Sequence, residues 1–176
     1  TGNIDSKIYQ WDGSSFVEFQ SIPTKQAYDW KFFTIGSTHF LAVANYRNDS
    51  THNIDSKLYR WNGSSFVEFQ SIPTNGAYDW EFFTLGSDYY LAVANHQDGS
   101  IFNINSKIYR WDGTSFVEYQ SIPTNGATGW EYFILGSDYY LAVANLYNGS
   151  TYNIDSKIYR AMYPILSPTP APTPTP

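Results

Sequence analysis

The stretch Asn3-Ile4-Asp5-Ser6-Lys7-Ile8-Tyr9 returns at Asn53, Asn103 and Asn153 with no insertion or deletion between copies, a fixed period of 50 residues. That period constrains the chain more than any other feature: each copy must fold alike and bury its apolar face against a neighbour. Tyr89-Tyr90-Leu91-Ala92-Val93-Ala94-Asn95 keeps the same beat, with counterparts at 40–45 and 139–145. An apolar run without alternation reads as a strand buried on both faces, and its alanines mark a place where neighbouring sheets approach closely.

Within the second unit, turn chemistry separates four short strands. They are expected at 57–61, 66–72, 80–85 and 89–95. Asn62-Gly63-Ser64 supplies a tight hairpin turn, Pro73-Thr74-Asn75-Gly76 a break, and Gly86-Ser87-Asp88 a second turn. A polar loop over 96–104 leads to the next unit. Four strands per repeat of this length is the arithmetic of a β-propeller blade. The aromatic content of 19%, with 16 Tyr, 12 Phe and 6 Trp, fits pleated, closely packed sheets and an all-β class. The expected organisation is an array over 1–163, with repeats 3–52, 53–102 and 103–152 and a partial repeat 153–163. The strands then number thirteen, three blades and one extra strand. Three blades fall short of an ordinary closed ring, which needs at least about four, so the open faces are expected to meet another chain.

After Tyr159 the pattern is abandoned: Arg160-Ala161-Met162-Tyr163 stands where other units have Arg-Trp-Asp-Gly or its close variants, Gln10-Trp11-Asp12-Gly13 and Arg60-Trp61-Asn62-Gly63. The segment 164–176 alternates Pro with Thr, Ser and Ala and cannot join a sheet ladder, so it reads as an extended linker or stalk. Ser167, Thr169, Thr173 and Thr175 are its expected O-glycan acceptors. Asn48, Asn62 and Asn148 head Asn-x-Ser tripeptides that would carry N-glycans in a eukaryotic secretory pathway. Thr1-Gly2-Asn3-Ile4-Asp5 has no signal-peptide form, and the chain starts inside the repeat without an initiator Met, as a processed product or part of a longer protein would.

Several separated motifs agree in order and spacing with one known family. Phe66 to Ala77, Trp80 to Phe83, Leu85-Gly86, Tyr90 to Asn95 and Ser106 to Trp111 together resemble the EAR repeat, also called the EPTP or epitempin repeat. The resemblance covers residues from about 3 to 160. It implies a propeller, usually of seven blades, in secreted or cell-surface proteins that bind other surface proteins, and it implies no catalysis. The copy number here departs from that form. A piece of a longer array, a ring of two or more chains, and an open array continued between subunits all satisfy it.

A search for chemistry agrees. The formal net charge of −6 argues against nucleic acid or an anionic membrane as partner, no apolar run is long enough to insert in a bilayer, and without cysteine there is no disulfide or thiolate site. His39, His52 and His96 fall where sister repeats carry Tyr, Phe or Leu, so they read as substituted packing or surface positions rather than bases. Glu18, Glu68 and Glu118 alternate with Phe in their strands and read as a solvated strand edge, while Asp5, Asp55 and Asp155 have Asn105 in the third place. No catalytic, cofactor-binding or metal residue is assigned. The Asn- and Asp-rich loop 45–55 offers oxygen donors of the kind calcium takes, but lacks Asp-x-Asp-x-Asp spacing, and turn chemistry accounts for its composition.

The expectation is a non-enzymatic extracellular or cell-surface protein, structural or adhesive, that associates with its own copies or with surface proteins. The alternative is a repeat lectin that stacks glycans on aromatic side chains of each blade.

Overall fold

The computed structural model describes residues 3–161. Thirteen strands follow one another in chain order: β1 (Asn3–Trp11), β2 (Phe16–Lys25), β3 (Ala27–Ile35), β4 (Thr38–Asn45), β5 (Asn53–Trp61), β6 (Phe66–Asn75), β7 (Ala77–Leu85), β8 (Asp88–Asn95), β9 (Asn103–Trp111), β10 (Phe116–Asn125), β11 (Ala127–Leu135), β12 (Asp138–Asn145) and β13 (Lys157–Ala161). All pairings are antiparallel. The all-β, four-stranded blade architecture is as expected.

The grouping of strands differs from the unit taken from the sequence. β3-β4-β5-β6 form one sheet and β7-β8-β9-β10 the next, flanked by a two-stranded sheet β1-β2 and a three-stranded sheet β11-β12-β13. Sheets are therefore cut half a repeat out of phase with 53–102, and the described residues hold two complete blades rather than three. A strict period has no intrinsic starting point. The cut falls at Gly76 and Gly126, each in the left-handed region with φ 52° and 54°, where the chain leaves one sheet and enters the next.

Strand bounds also differ. β6 continues through Pro73, which lies opposite Asp55, instead of stopping at Ile72. Pro73 is tolerated because β6 is an edge strand and the missing N–H faces no neighbour. β5 begins at Asn53 because its first residues pair with the end of β6, whereas β13, with no outer neighbour among the described residues, is ordered into a strand over only Lys157–Ala161.

Short connections fit their strands. In the β5–β6 turn the Asn62 side-chain oxygen accepts from Ser64 N and Ser65 N, both at 2.9 Å, and Gly63 takes φ 102°. Asp12 does the same in the β1–β2 turn, and its backbone hydrogen bonds from Ser15 and Ser14 hold its carboxyl down to about 2. At the other end of each blade Asn95 closes the sheet: its N–H donates to Ser106 Oγ at 3.1 Å, its amide NH₂ to the Asn105 carbonyl at 2.9 Å, and its Oδ1 accepts from Asn75 N at 3.0 Å. Asn45 and Asn145 repeat this arrangement.

The sheets stack face to face, β3 and β4 against β7, then β7 and β8 against β11. The apolar run that first suggested a core strand is β8, where Leu91, Ala92, Val93 and Ala94 have no exposed surface. The alanines let a tryptophan of the next sheet lie against the strand backbone: Trp80 Nε1 donates to the Val43 carbonyl and Trp130 Nε1 to the Val93 carbonyl, both at 3.0 Å. Full burial of such a ring contributes roughly 2–3 kcal/mol, so this contact is a main support of the stack.

Candidate interaction site: the sockets between blades

The most specific contact between sheets is polar. In β2 a bulge skips Phe19 in the register with β1, so that Gln20 lies opposite Ile8. The same irregularity recurs in β6 and β10. Such a bulge re-aims the residues around it. The Gln20 amide NH₂ donates to the Phe66 carbonyl at 2.7 Å, and its oxygen accepts from Phe66 N–H at 2.9 Å. Gln70 holds Phe116 in the same two-point grip, at 2.8 and 3.0 Å. Each glutamine thus binds the first residue of the outer strand of the next sheet.

The gripped phenylalanine enters an aromatic socket together with the tryptophan across its hairpin. Phe116 packs edge-on to Phe33 at 5.7 Å, and Trp111 packs on Phe40 at 5.7 Å and on Phe69 at 6.0 Å. Trp111 and Phe116 also touch each other at 5.2 Å. Burial grades along the chain: Phe116 is 2% exposed, Phe66 is half-buried, and Phe16 is 69% exposed. Gln120, third in the series, is exposed and grips nothing among the described residues.

Carboxylates run along the same interfaces. Asp29 accepts from Trp80 N–H at 3.3 Å and Asp79 from Trp130 N–H at 2.7 Å. Burial pushes the Asp79 carboxyl up to about 7 against the opposing pull of the Trp130 N–H, and the nearby Asp29 and Glu81 carboxylates add to the rise. Lys31 pairs with Glu81 across the sheets. At the loop end of the blades a second aromatic chain forms: Tyr28 stacks on Tyr78 at 4.2 Å, Tyr78 on His96 at 4.3 Å, and His96 meets Phe102 at 5.3 Å.

Within residues 3–161 the structure places those that the sequence singled out. His96 is buried, its Nδ1 without a hydrogen-bond partner among the described residues, and burial lowers its pKa; His52 lies half-buried beside Gln97 and Tyr46; His39 is exposed near Thr34. These are packing and surface positions, as expected. Glu18, Glu68 and Glu118 sit on exposed strand faces, each paired across its hairpin with a lysine: Lys7 at 2.9 Å, Lys57 at 2.9 Å and Lys107 at 2.7 Å. Asp5 accepts from Ser21 Oγ, and Asp55, Asn105 and Asp155 are exposed.

In the loop considered for calcium, Asn48 Oδ1 accepts from Ser50 N and Thr51 N, a local turn. Among the described residues no three His, Cys, Asp or Glu gather in an arrangement that would hold a metal ion. Asn48 and Asn148 lie in the loops after β4 and β12, and Asn62 in the exposed β5–β6 turn. Ser167, Thr169, Thr173 and Thr175 lie outside the described residues. Of the tryptophans, among the aromatic side chains on which a repeat lectin would stack sugars, Trp80 and Trp130 are buried, Trp30, Trp61 and Trp111 are half-buried, and Trp11 is 54% exposed.

Sequence reasoning passed over the three glutamines. The signal was present: a glutamine recurs at 20, 70 and 120 next to an aromatic residue, and a phenylalanine follows the first two at a fixed interval of 46 residues.

Four-stranded antiparallel blades at a 50-residue period, locked by repeated tryptophan and glutamine contacts, define a propeller-type interaction repeat. Residues 15–62, 65–112 and 115–160 match the EPTP domain, and the chain belongs to this EAR repeat family, a non-catalytic family of protein-interaction repeats. Each matched unit spans the outer strand of one sheet and three strands of the next, from β2 to β5, β6 to β9 and β10 to β13. A unit so phased carries the gripping glutamine on one sheet and its own body on the following one, so consecutive units interlock. The chain is 53% identical over 51 residues to the mouse thrombospondin-type laminin G domain and EAR repeat-containing protein, covering 28% of this chain and 8% of that protein. It is 52% identical over 44 residues to the human protein of the same name, covering 25% of this chain and 7% of that protein. The chain thus aligns with less than a tenth of the length of these relatives.

Proposed function

We propose that this chain is a non-enzymatic structural or adhesive module of the cell exterior, acting through blade faces that bind protein and assembling with further copies of itself. The observation that carries this reading is the contrast between equivalent residues inside and at the end of the stack. Leu58 is 0% and Ile108 6% exposed, but Ile158, at the same position in the last sheet, is 67% exposed. Ala42, Ala44, Ala92 and Ala94 are fully buried, whereas Ala144 is exposed. An apolar sheet face whose counterparts are covered by a neighbouring blade is suited to receiving another blade. The membership in a protein-interaction family supports the same reading, and the Pro/Thr segment 164–176 would serve as a stalk that holds the module away from its attachment.

Light scattering on the purified chain over a wide concentration range tests this function. A mass that rises above the 20.1 kDa of one chain is expected. A single-chain mass throughout would refute the self-assembly.

A further inference from the structure

Among the described residues, two of the three glutamine sockets are filled from within the chain and nothing fills the third. A cavity of 190 Å³ lies beside Gln120, lined by Phe83, Tyr90, Ile108, Tyr132, Leu141 and Tyr159. It is the counterpart of the socket that receives Trp111 and Phe116: Phe83 stands in the place of Phe33, Tyr90 of Phe40, and the exposed Tyr119 of Phe69. Among the described residues the repeat fails at the position that fills the earlier sockets. Trp11, Trp61 and Trp111 are followed at the next period by Ala161, which reaches the rim of the cavity without filling it.

The matching insert exists at the other end of the chain. The β1–β2 hairpin presents Trp11 and Phe16, 54% and 69% exposed, with rings 5.3 Å apart. The hairpins that fill sockets hold the same pair at 5.2 Å in both cases. Along β1, Lys7-Ile8-Tyr9 repeats Lys157-Ile158-Tyr159 of β13, which holds β12 through the five pairs from Tyr139 to Val143. A β1 strand therefore fits the β12 edge as β13 does, and it brings a fourth strand with it.

Resting on the self-assembly reading above, we propose that the partner is a second copy of this chain bound by strand exchange. Its β1–β2 hairpin replaces β13 on β12, its Trp11 and Phe16 enter the open socket, and Gln120 grips its Phe16 backbone. The exchange completes a third blade from β11 and β12 of one copy and β1 and β2 of the other. It also satisfies a second pair of groups. Trp80 and Trp130 donate to the carbonyls of Val43 and Val93. By the same step of 50 residues, Val143 lacks such a donor among the described residues, and Trp30 of the second copy is placed to supply it. The new contact continues an interface already made twice within one chain, so no new recognition chemistry is required. Counted over the described residues, each copy then contributes two complete sheets and one composite, three blades, and two copies that exchange reciprocally hold six, inside the range of about four to eight found in closed rings.

Complementation between two damaged chains, read by sedimentation velocity, tests this geometry. One chain carries Trp11→Ala with Phe16→Ala, and the other carries Gln120→Ala with Ala161→Trp, which removes the grip and fills the socket from within. All four positions lie at the ends of the described stack, so when dilute the hairpin variant is expected to unfold at the wild-type urea midpoint and the socket variant at or above it, since its new tryptophan is buried within its own chain. Each alone should associate at least about tenfold more weakly than wild type, and an equal mixture should recover a two-chain species, because one chain retains the socket and the other the hairpin. A wild type that stays monomeric would overturn both this interface and the self-assembly reading. A wild type that associates while the variants associate equally well, or a mixture that fails to recover, would overturn this interface alone.

Discussion

Replacing Gln70 by alanine removes both hydrogen bonds that hold the Phe116 backbone, at 2.8 and 3.0 Å, in a socket where Phe116 is 2% exposed. Water cannot reach the abandoned N–H and C=O without opening the interface between the second and third sheets. A buried backbone group left without a partner costs about 1–3 kcal/mol, and two such groups, sharing some relief as the hairpin shifts, give roughly 2–4 kcal/mol. At Gln20 the chemistry is identical but Phe66 is only half-buried, so solvent replaces part of the loss and the cost falls to roughly 1–2 kcal/mol. Gln120 is exposed and grips nothing among the described residues, so its removal is expected to change the stability of the dilute single chain by less than about 0.5 kcal/mol. Three identical substitutions at equivalent positions thus form a graded series. Urea unfolding followed by tryptophan fluorescence measures it, with stability read at constant m. Equal losses at the three positions, or the largest loss at Gln120, would refute the socket as the source of the grading.

Other outcomes follow from single groups. His96 is buried and its pKa is lowered from 6.5, so the unfolded chain binds its proton more tightly. Its contribution is complete above 6.5 and is lost as pH falls below it, so His96→Leu, which copies Leu146 of the next repeat, should reduce the loss of stability between about pH 7.5 and about pH 5.5. Asp79 has the opposite sign: its folded pKa is raised from 3.8 to about 7, so its contribution is greatest at low pH and is lost as pH rises through that window. Asp79→Asn, which still accepts from Trp130 N–H, should exceed wild type in urea midpoint above pH 7 and lose that advantage in acid. Gln26 occupies the left-handed region at φ 45°, where Gly76 and Gly126 stand in the later repeats, and Gln26→Gly should stabilise by about 1 kcal/mol in thermal unfolding. Because each chain carries a formal charge of −6 and the proposed interface is aromatic and amide, added salt should strengthen association in sedimentation equilibrium; weakening would point to a charged contact instead.

The period, the strand count and the buried alanine-containing strand were legible in the sequence because apolar runs and turn residues mark them locally. The phase of the sheets was not, since it is decided by which edges pair across the break at Gly76 and Gly126, and a periodic sequence marks no first strand. Pro73 misled for a related reason: it ends an interior strand but continues an edge one, and edge status is a property of the sheet. The histidines were readable as substituted aromatics, because sister repeats supply the comparison. The grip of Gln20 and Gln70 was hidden by the bulges at Phe19 and Phe69, which turn a residue that simple alternation cannot place into an inter-sheet bond. The glutamates were placed correctly on a solvated strand edge, and the lysines that pair with them there were not read from the sequence; Glu18 and Glu68 are held by their own hairpins and need no neighbouring sheet.

Electron microscopy of the intact particle tests the central claim most directly, because it shows at once how many chains meet and through which faces. A closed ring of six blades from two chains is expected, with the Phe16 ring of one copy beside Gln120 of the other. Particles of a single chain, or a pair joined through another face with the Gln120 socket still empty, would contradict it.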